Sequence, residues 1–261
     1  FPRFGAPVMH ELPDQLERFA PITLAEMDGV KLQDRMDTKY VFGEALLTAV
    51  LEDMLPHYRL LEVDGVRGSH YRSLYFDTPG LRDYHDHHNG RTLRRKIRFR
   101  EYLGSGLCYL EVKRKTGAGR TDKHRLKVAG IPEALAGEQA AFVATASRST
   151  EPLVPVMWNR FIRLTFVHRE RAERLTLDLG LRFSLFHEPA REAALGGIVV
   201  AELKQGRADR GSHFAQAMRA RGIRPAGMSK YCIGLLHLLP SLKYNRFKEV
   251  LRHLERVRPA A

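Results

Sequence analysis

From Tyr58 to Gln205, apolar and charged positions alternate with a period of two through most of the chain. YRLLEV (58–63), SHYRSLYFD (69–77), RRKIRFREY (94–102), LCYLEVKRKT (107–116), KHRLKV (123–128), PVMWNRFIRLTFVH (155–168), ERLTLDLGLRFSLF (173–186) and GIVVAELKQ (197–205) read as strands. A strand-like run also ends KLQDRMDTKYVF (31–42). The Gly-Ser-Gly turn at 104–106 joins two strands as a hairpin. Helical spacing appears in short pieces over 11–29, punctuated by Pro13 and Pro21, and in EALLTAVLEDML (44–55), which stops at Pro56. It returns in the Ala-rich stretch 131–148 and in three late segments, 212–222, 229–239 and 244–257. DTPGLRDYHDHHNG (77–90) reads as a polar loop with a helical turn. Strands in hairpin-like succession, with no internal repeat or low-complexity linker, predict one α+β domain on an antiparallel sheet.

The parity of the charges raises a question. Arg94, Lys96, Arg98 and Arg100 share one face of their strand. Glu111, Lys113 and Lys115 share a face of the next, opposite Leu110, Val112 and Arg114. Lys123, Arg125 and Lys127 are in phase, as are Arg174, Thr176 and Asp178. Val200, Glu202 and Lys204 line up opposite Val199, Ala201 and Leu203, and Arg35, Asp37 and Lys39 line up in the 31–42 run. One such face is ordinarily solvated. Many faces of mostly one sign, on neighbouring strands, would set like charges opposite each other, which is unfavourable without a counter-anion. A closed barrel resolves the conflict: an apolar outer face covered by helices, and a charged interior. Such an interior suits a polyanion, with Glu202 and Glu111 as oxygen donors for Mg2+ or Mn2+.

Composition narrows the partner. Among 261 residues, 43 Lys and Arg against 30 Asp and Glu leave a formal charge of +13, which favours anions. Two cysteines, Cys108 and Cys232, provide no disulfide framework or Cys-based zinc site. CIGLLHLLP is too short to span a membrane, and no signal peptide is visible at the N-terminus. A cytoplasmic protein without a membrane segment is the expectation. Nucleic acid is the poorer partner, because the cations alternate along strands and no helix-turn-helix appears.

The ordered set TKY (38–40), SLYFDT (73–78), RKIRFREY (95–102), LEVKRK (110–115), KHRLKV (123–128), WNR (158–160), RLTLD (174–178), AELK (201–204) and SKY (229–231) resembles the VTC domain. That is the polyphosphate polymerase domain of the vacuolar transporter chaperone complex, within the CYTH-like triphosphate tunnel metalloenzymes. The resemblance divides the chain into a helical extension (1–30), the tunnel domain (31–240) and a C-terminal helix packed on it (241–261). It implies a tunnel of eight antiparallel strands with helices outside. The implied activity transfers the γ-phosphate of ATP to a growing inorganic polyphosphate chain, with Mn2+ or Mg2+.

By motif, Lys39, Arg98, Arg100, Lys113, and Lys123 or Arg125 resemble ligands of substrate phosphates. Arg160 and Arg174 extend the cage, Glu202 resembles the metal-binding glutamate, and Ser229 and Lys230 resemble a phosphate-contacting pair at a helix start. Lys39, Arg98, Arg100, Lys113, Arg160, Arg174 and Lys230 are the implied catalytic set. The ExExK signature of the CYTH branch is absent; RMDTK stands there, which argues against a thiamine-triphosphatase or cyclase-like member. No SPX domain or membrane helix accompanies the motifs.

Phosphoryl transfer needs positioning and charge neutralisation, and Arg and Lys supply both. The acceptor, a phosphate chain end, is already anionic and needs no general base. Water in its place would make the same site a tripolyphosphatase or nucleoside triphosphatase, and a non-catalytic polyphosphate binder is the third reading. Other constellations read as ordinary structure. HDHH (85–88) invites a metal reading but has no second ligand set at diagnostic spacing; it is a solvated loop before it is a metal site, with an accessory role at the tunnel mouth as a further alternative. GAGR (117–120) is a flexible turn without P-loop order. Tyr40, Tyr75 and Trp158 are core aromatics before they are base-stacking groups, Cys108 is a neutral thiol, and NRFKEVLRHLERV covers the barrel.

Overall fold

The computed structural model describes residues 12–28, 36–117, 121–206, 209 and 211–258. Arg35 and residues 118–120 of the GAGR turn lie outside them. In chain order the elements are α1 (Leu12–Glu17), β1 (Pro21–Ile22), α2 (Leu24–Asp28), β2 (Met36–Gly43), α3 (Leu47–Met54), β3 (Tyr58–Leu61), β4 (Ser69–Asp77), α4 (Arg82–His88), β5 (Arg94–Tyr102), β6 (Leu107–Lys115), β7 (Thr121–Val128), α5 (Gly137–Ser147), β8 (Val154–His168), β9 (Glu173–Leu185), β10 (Glu192–Leu195), β11 (Ile198–Gln205), α6 (His213–Ala220), α7 (Lys230–Leu238) and α8 (Lys248–Val257). Single 3-10 turns at Glu44–Leu46 and Asn245–Phe247 precede α3 and α8.

The strands form one curved sheet with a main path β2-β11-β9-β8-β4-β5-β6-β7, every neighbouring pair antiparallel. Three short strands branch from it: β3 beside β8, β1 beside β3 in parallel, and β10 beside β9. The expected eight-stranded barrel is therefore corrected. The path has eight strands of eleven, and among the described residues its two ends, β2 and β7, share no ladder. Closure would set Lys123, Arg125 and Lys127 of β7 toward Lys39 of β2, like charge against like. Parity could not have revealed this, because an open curved sheet alternates as a barrel does.

The convex face is apolar and helix-covered. α1, α3 and α6 pack on Phe42, Leu164, Phe166, Leu175, Leu177 and Val199, and α5 packs on Leu74, Ile97, Phe99, Leu110 and Val112. At 25 cal/mol per Å2 of apolar surface, each large side chain hidden here contributes about 2 kcal/mol, which fixes the register and sends the odd-phase charges to the other side. Cys108 sits in this layer, its thiol pushed up to about 11, first by burial. Tyr40 packs edge-on against Phe214 in the same layer.

One end of the concave face is filled. Val41, Val200, Phe161, Leu181, Phe183 and Met157 turn inward there and bury α7. Gly234 makes the fit possible: a Cβ at that position would lie 2.4 Å from the Phe183 ring and 2.9 Å from Met157 sulfur. Gly234→Ala is expected to destabilise the protein by about 1–3 kcal/mol through overpacking. The urea midpoint checks it; an unchanged midpoint would show that α7 is not seated as described.

Candidate anion site on the concave face

The register places the charges in cross-strand rows. Lys39 faces Glu202, Asp37 faces Lys204, and Glu202 and Lys204 in turn face Thr176 and Arg174. Asp178 faces Arg163. Arg98 and Arg100 face Tyr75 and Ser73 on one side and Glu111 and Tyr109 on the other. Lys96 faces Lys113, which faces Lys123, and Glu111 faces Arg125. Eight strands thus turn one face of alternate residues into a common cationic trough.

Three carboxylates lie in it, Glu111 and Asp178 buried and Glu202 half-buried, each in ion-pair range of two cations. Glu111 accepts from Arg98 Nε and Nη2 at 2.9 and 2.7 Å, and Lys123 Nζ lies 2.8 Å from its other oxygen. Asp178 accepts from Arg163 at 2.6 and 2.7 Å and also pairs with Lys230. Glu202 lies 2.5 Å from Lys204 Nζ and 3.8 Å from Lys39 Nζ. Burial raises the pKa of all three, and the paired cations outweigh it, so each is held well below the usual carboxylate range.

Arg100 differs. It is 6% exposed, has no carboxylate in ion-pair range among the described residues, and rests on the rings of Tyr71 and Phe161 at 5.2 and 5.9 Å. Among the described residues its hydrogen bond is a long one, from Nε to Ser73 Oγ at 3.4 Å. Lys96 also has no carboxylate and donates to Ser229 Oγ at 2.8 Å. Burial pushes its pKa down most; Cys232 opposes this, Lys39, Lys113 and Arg98 lower it further, and it lies at about 7. Burial likewise lowers Lys230 to about 8, partly offset by Asp178. Free Lys96 is half neutral at pH 7, and an anion needs it charged. The ratio of wild-type to Lys96→Met tripolyphosphate affinity should therefore fall about tenfold per pH unit above 7; titration calorimetry at pH 6.5, 7.5 and 8.5 checks it, and a flat ratio would count against a depressed Lys96.

Ser229 caps α7, accepting from Cys232 N at 3.3 Å, and so aims the α7 N-terminus into the trough. The anchor is Asp77 at the end of β4. Its carboxylate accepts from Thr78, Asp83 and Tyr84 N, at the start of α4, and from Tyr231 OH at 2.5 Å. The YFDT and SKY motifs therefore meet, through a role that sequence reasoning missed.

Of the residues named from the sequence, Lys39, Arg98, Arg100, Lys113, Lys123, Arg125, Arg174, Glu202, Ser229 and Lys230 come together on this face. Arg160 does not, which corrects its placement in the cage. It is exposed on the convex face, in register between Arg72 and Arg182. Leu164 and Phe166 share its parity and are core residues, so counting back by two already puts Arg160 outside. The same count puts Arg163 inside, a residue the sequence reading had not named. Trp158 is also convex, under the Arg72 guanidinium at 4.9 Å. HDHH is not a solvated loop but the end of α4, with His88 buried against Phe247.

A divalent cation has a place that fits. Lys204 Nζ lies 2.5 Å from Glu202 and 3.5 Å from Asp37, so one ammonium bridges two carboxylates at a point where the site already calls for positive charge. Hard oxygen donors of this kind suit Mg2+ or Mn2+. Among the described residues a second grouping, His57, His168 and His213, does not fit a metal cage. His168 Nδ1 accepts from Glu170 and Arg171 N, so its Nε2 carries the hydrogen and donates to His213 Nδ1 at 3.0 Å. His57 stacks face to face on His213 at 3.4 Å, so the in-plane lone pairs of these rings do not converge.

The VTC domain family model matches residues 34–239. No curated protein matches the sequence. Among solved structures, HpAC1 from Hippeastrum, described as a candidate adenylyl cyclase with a dominant triphosphatase activity, is 15% identical, covering 80% of this chain and 97% of its own, at a TM-score of 0.50. A candidate adenylate cyclase from Bacillus halodurans is 13% identical, covering 76% and 96%, at 0.48. The Pct1 RNA triphosphatase of S. pombe is 11% identical, covering 99% and 96%, at 0.30. The first of these shows a shared fold. Among the described residues no helix is long and apolar enough to cross a membrane.

Proposed function

Since the chain belongs to the VTC domain family, we propose that it is an inorganic polyphosphate polymerase, transferring the γ-phosphate of ATP to a phosphate chain held in the trough. The observation that carries the reading is Arg100, a buried guanidinium with aromatic rings beneath it, no carboxylate beside it, and hydrogen-bond donors left over. A buried guanidinium with no carboxylate in ion-pair range among the described residues suits an anion.

The carboxylate-paired cations Arg98, Lys123, Arg163, Lys230 and Lys39 are held rigidly and line the walls. Among the described residues Arg100, Lys96 and Lys113 have no carboxylate within ion-pair range, and they would take the phosphate oxygens. Ser229 and the first N–H groups of α7 add a favourable dipole at one end. Glu202, with Asp37, would hold Mg2+ or Mn2+, which when bound neutralises charge on the phosphate oxygens. The residues around it orient two phosphate groups and offset their mutual repulsion; the acceptor oxygen is already anionic, so no side chain has to remove a proton.

A second reading, triphosphate hydrolysis, is favoured by the unclosed seam between β2 and β7, which gives water a way to the same phosphates. Incubation with γ-labelled ATP and Mn2+, resolved on a gel, separates the two. A ladder of chains degraded by an exopolyphosphatase supports the polymerase. Labelled free phosphate alone supports the hydrolase, and no turnover with either metal would leave a polyphosphate-binding protein.

A further inference from the structure

Along β5 the residues that face the trough change character. From the hairpin end they read Tyr102, Arg100, Arg98 and Lys96, at about 7 Å per step. Their cross-strand neighbours on β6 change with them: Leu107 and Tyr109 at the hairpin end, then Glu111, then Lys113. On the other side Tyr102 faces Tyr71, which faces Phe161. One end of the trough is therefore aromatic, and the other, where Lys96 donates to Ser229, is cationic.

The core uses only part of the aromatic end. Tyr71 and Phe161 are buried, stacked on each other at 5.2 Å with Arg100 and Arg163 over them. Tyr102 and Tyr109 are half-buried. Tyr102 tilts onto Tyr71 at 4.8 Å and meets Tyr109 at 6.0 Å, with the two planes 80° apart. The Arg125 guanidinium lies 5.1 Å from the centre of the Tyr109 ring and steadies it. The two rings thus make an aromatic corner with part of its surface open to solvent. The other candidate aromatics offer no such surface in the trough. Tyr40 and Trp158 belong to the convex face, and Tyr75 is buried against Tyr231.

An aromatic ring has a negative face, so it does not attract phosphate. It is a platform for a nucleobase, each stack being worth about 1–3 kcal/mol. Tyr109 stands directly across from Arg100, the buried cation without a carboxylate in range among the described residues. We propose that Tyr102 and Tyr109 seat the base of the nucleoside triphosphate, which then lies along β5 with its α-phosphate at Arg100 and its γ-phosphate toward Lys96. A planar base laid flat on one ring meets the edge of the other, which suits the 80° angle between them. The donor nucleotide then occupies the hairpin end, and the phosphate chain the end at α7. The proposal rests on the trough's reading as a phosphate-chain site and adds to it the position of the nucleoside.

The test is calorimetry of ATP and of tripolyphosphate binding, without metal and with a chelator present, on wild type, Tyr109→Leu, Tyr102→Leu and Tyr109→Phe. Both leucine variants are expected to lose about tenfold in ATP affinity, while Tyr109→Phe, which keeps the ring, stays within twofold of wild type. Tripolyphosphate has no base, and its affinity should stay within twofold in all three. ATP affinity within twofold of wild type in both leucine variants would overturn the base seat. So would an equal loss for ATP and tripolyphosphate, since the rings would then only support the trough walls. A wild-type protein that binds tripolyphosphate but not ATP would overturn the seat and leave the phosphate-chain reading standing. Failure of wild type to bind tripolyphosphate would overturn that reading itself, and the seat with it.

Discussion

Arg100→Met will lower tripolyphosphate affinity by about 100-fold and leave the fold at least as stable. Arg100 gives up hydration without gaining a carboxylate, and burial together with Arg98 lowers its pKa, so the folded state disfavours its charge. Met fills similar space over Tyr71 and Phe161, and the hydrogen bond it removes is the long one to Ser73 Oγ. The loss falls on the ligand: two charge-assisted bonds at about 1.5 kcal/mol each amount to about 3 kcal/mol. Calorimetry and urea unfolding measure the two sides separately. Affinity within threefold of wild type would mean that Arg100 does not meet the anion. Arg98→Ala also weakens binding but tests less cleanly. It leaves Glu111 buried with Lys123 as its one salt-bridge partner, and breaking a buried pair costs about 3–5 kcal/mol of stability.

Glu202→Gln should lower Mn2+-dependent turnover of γ-labelled ATP by about 1000-fold, since a bound metal ion is worth several kcal/mol of charge stabilisation. Metal-free tripolyphosphate binding should hold or tighten, because one negative charge leaves the trough and Lys39 and Lys204 lose their closest counter-ion. That opposite response separates a metal ligand from a residue that merely supports the fold. Wild-type turnover in the variant would remove Glu202 from any metal role.

The alternation of charge was legible because a strand's side chains have a period of two whatever the strand packs against. RRKIRFREY and LCYLEVKRK therefore declared a cationic face, and the burial of Ile97, Phe99, Leu110 and Val112 on the other side agrees with it. Arg160 and Arg163 were equally legible from the parity of Leu164 and Phe166; a motif was followed there in place of the count. β10 was not legible: EAAL has no strand preference of its own and is extended because β9 offers it a ladder. The same holds for α4, whose start is set by Asp77.

The sequence by itself determined which residues share a face and that this face is basic, since local periodicity and burial of the apolar phase suffice for that. Only the tertiary structure decided which cations are spent on Glu111, Asp178 and Glu202 and that Arg100 has none. It also decided that the sheet stays open between β2 and β7, and that Asp77 and Tyr231 aim α7 into the trough. Each of these depends on contacts between segments far apart in the chain, where distance and the pairing of buried charges, not alternation, set the outcome.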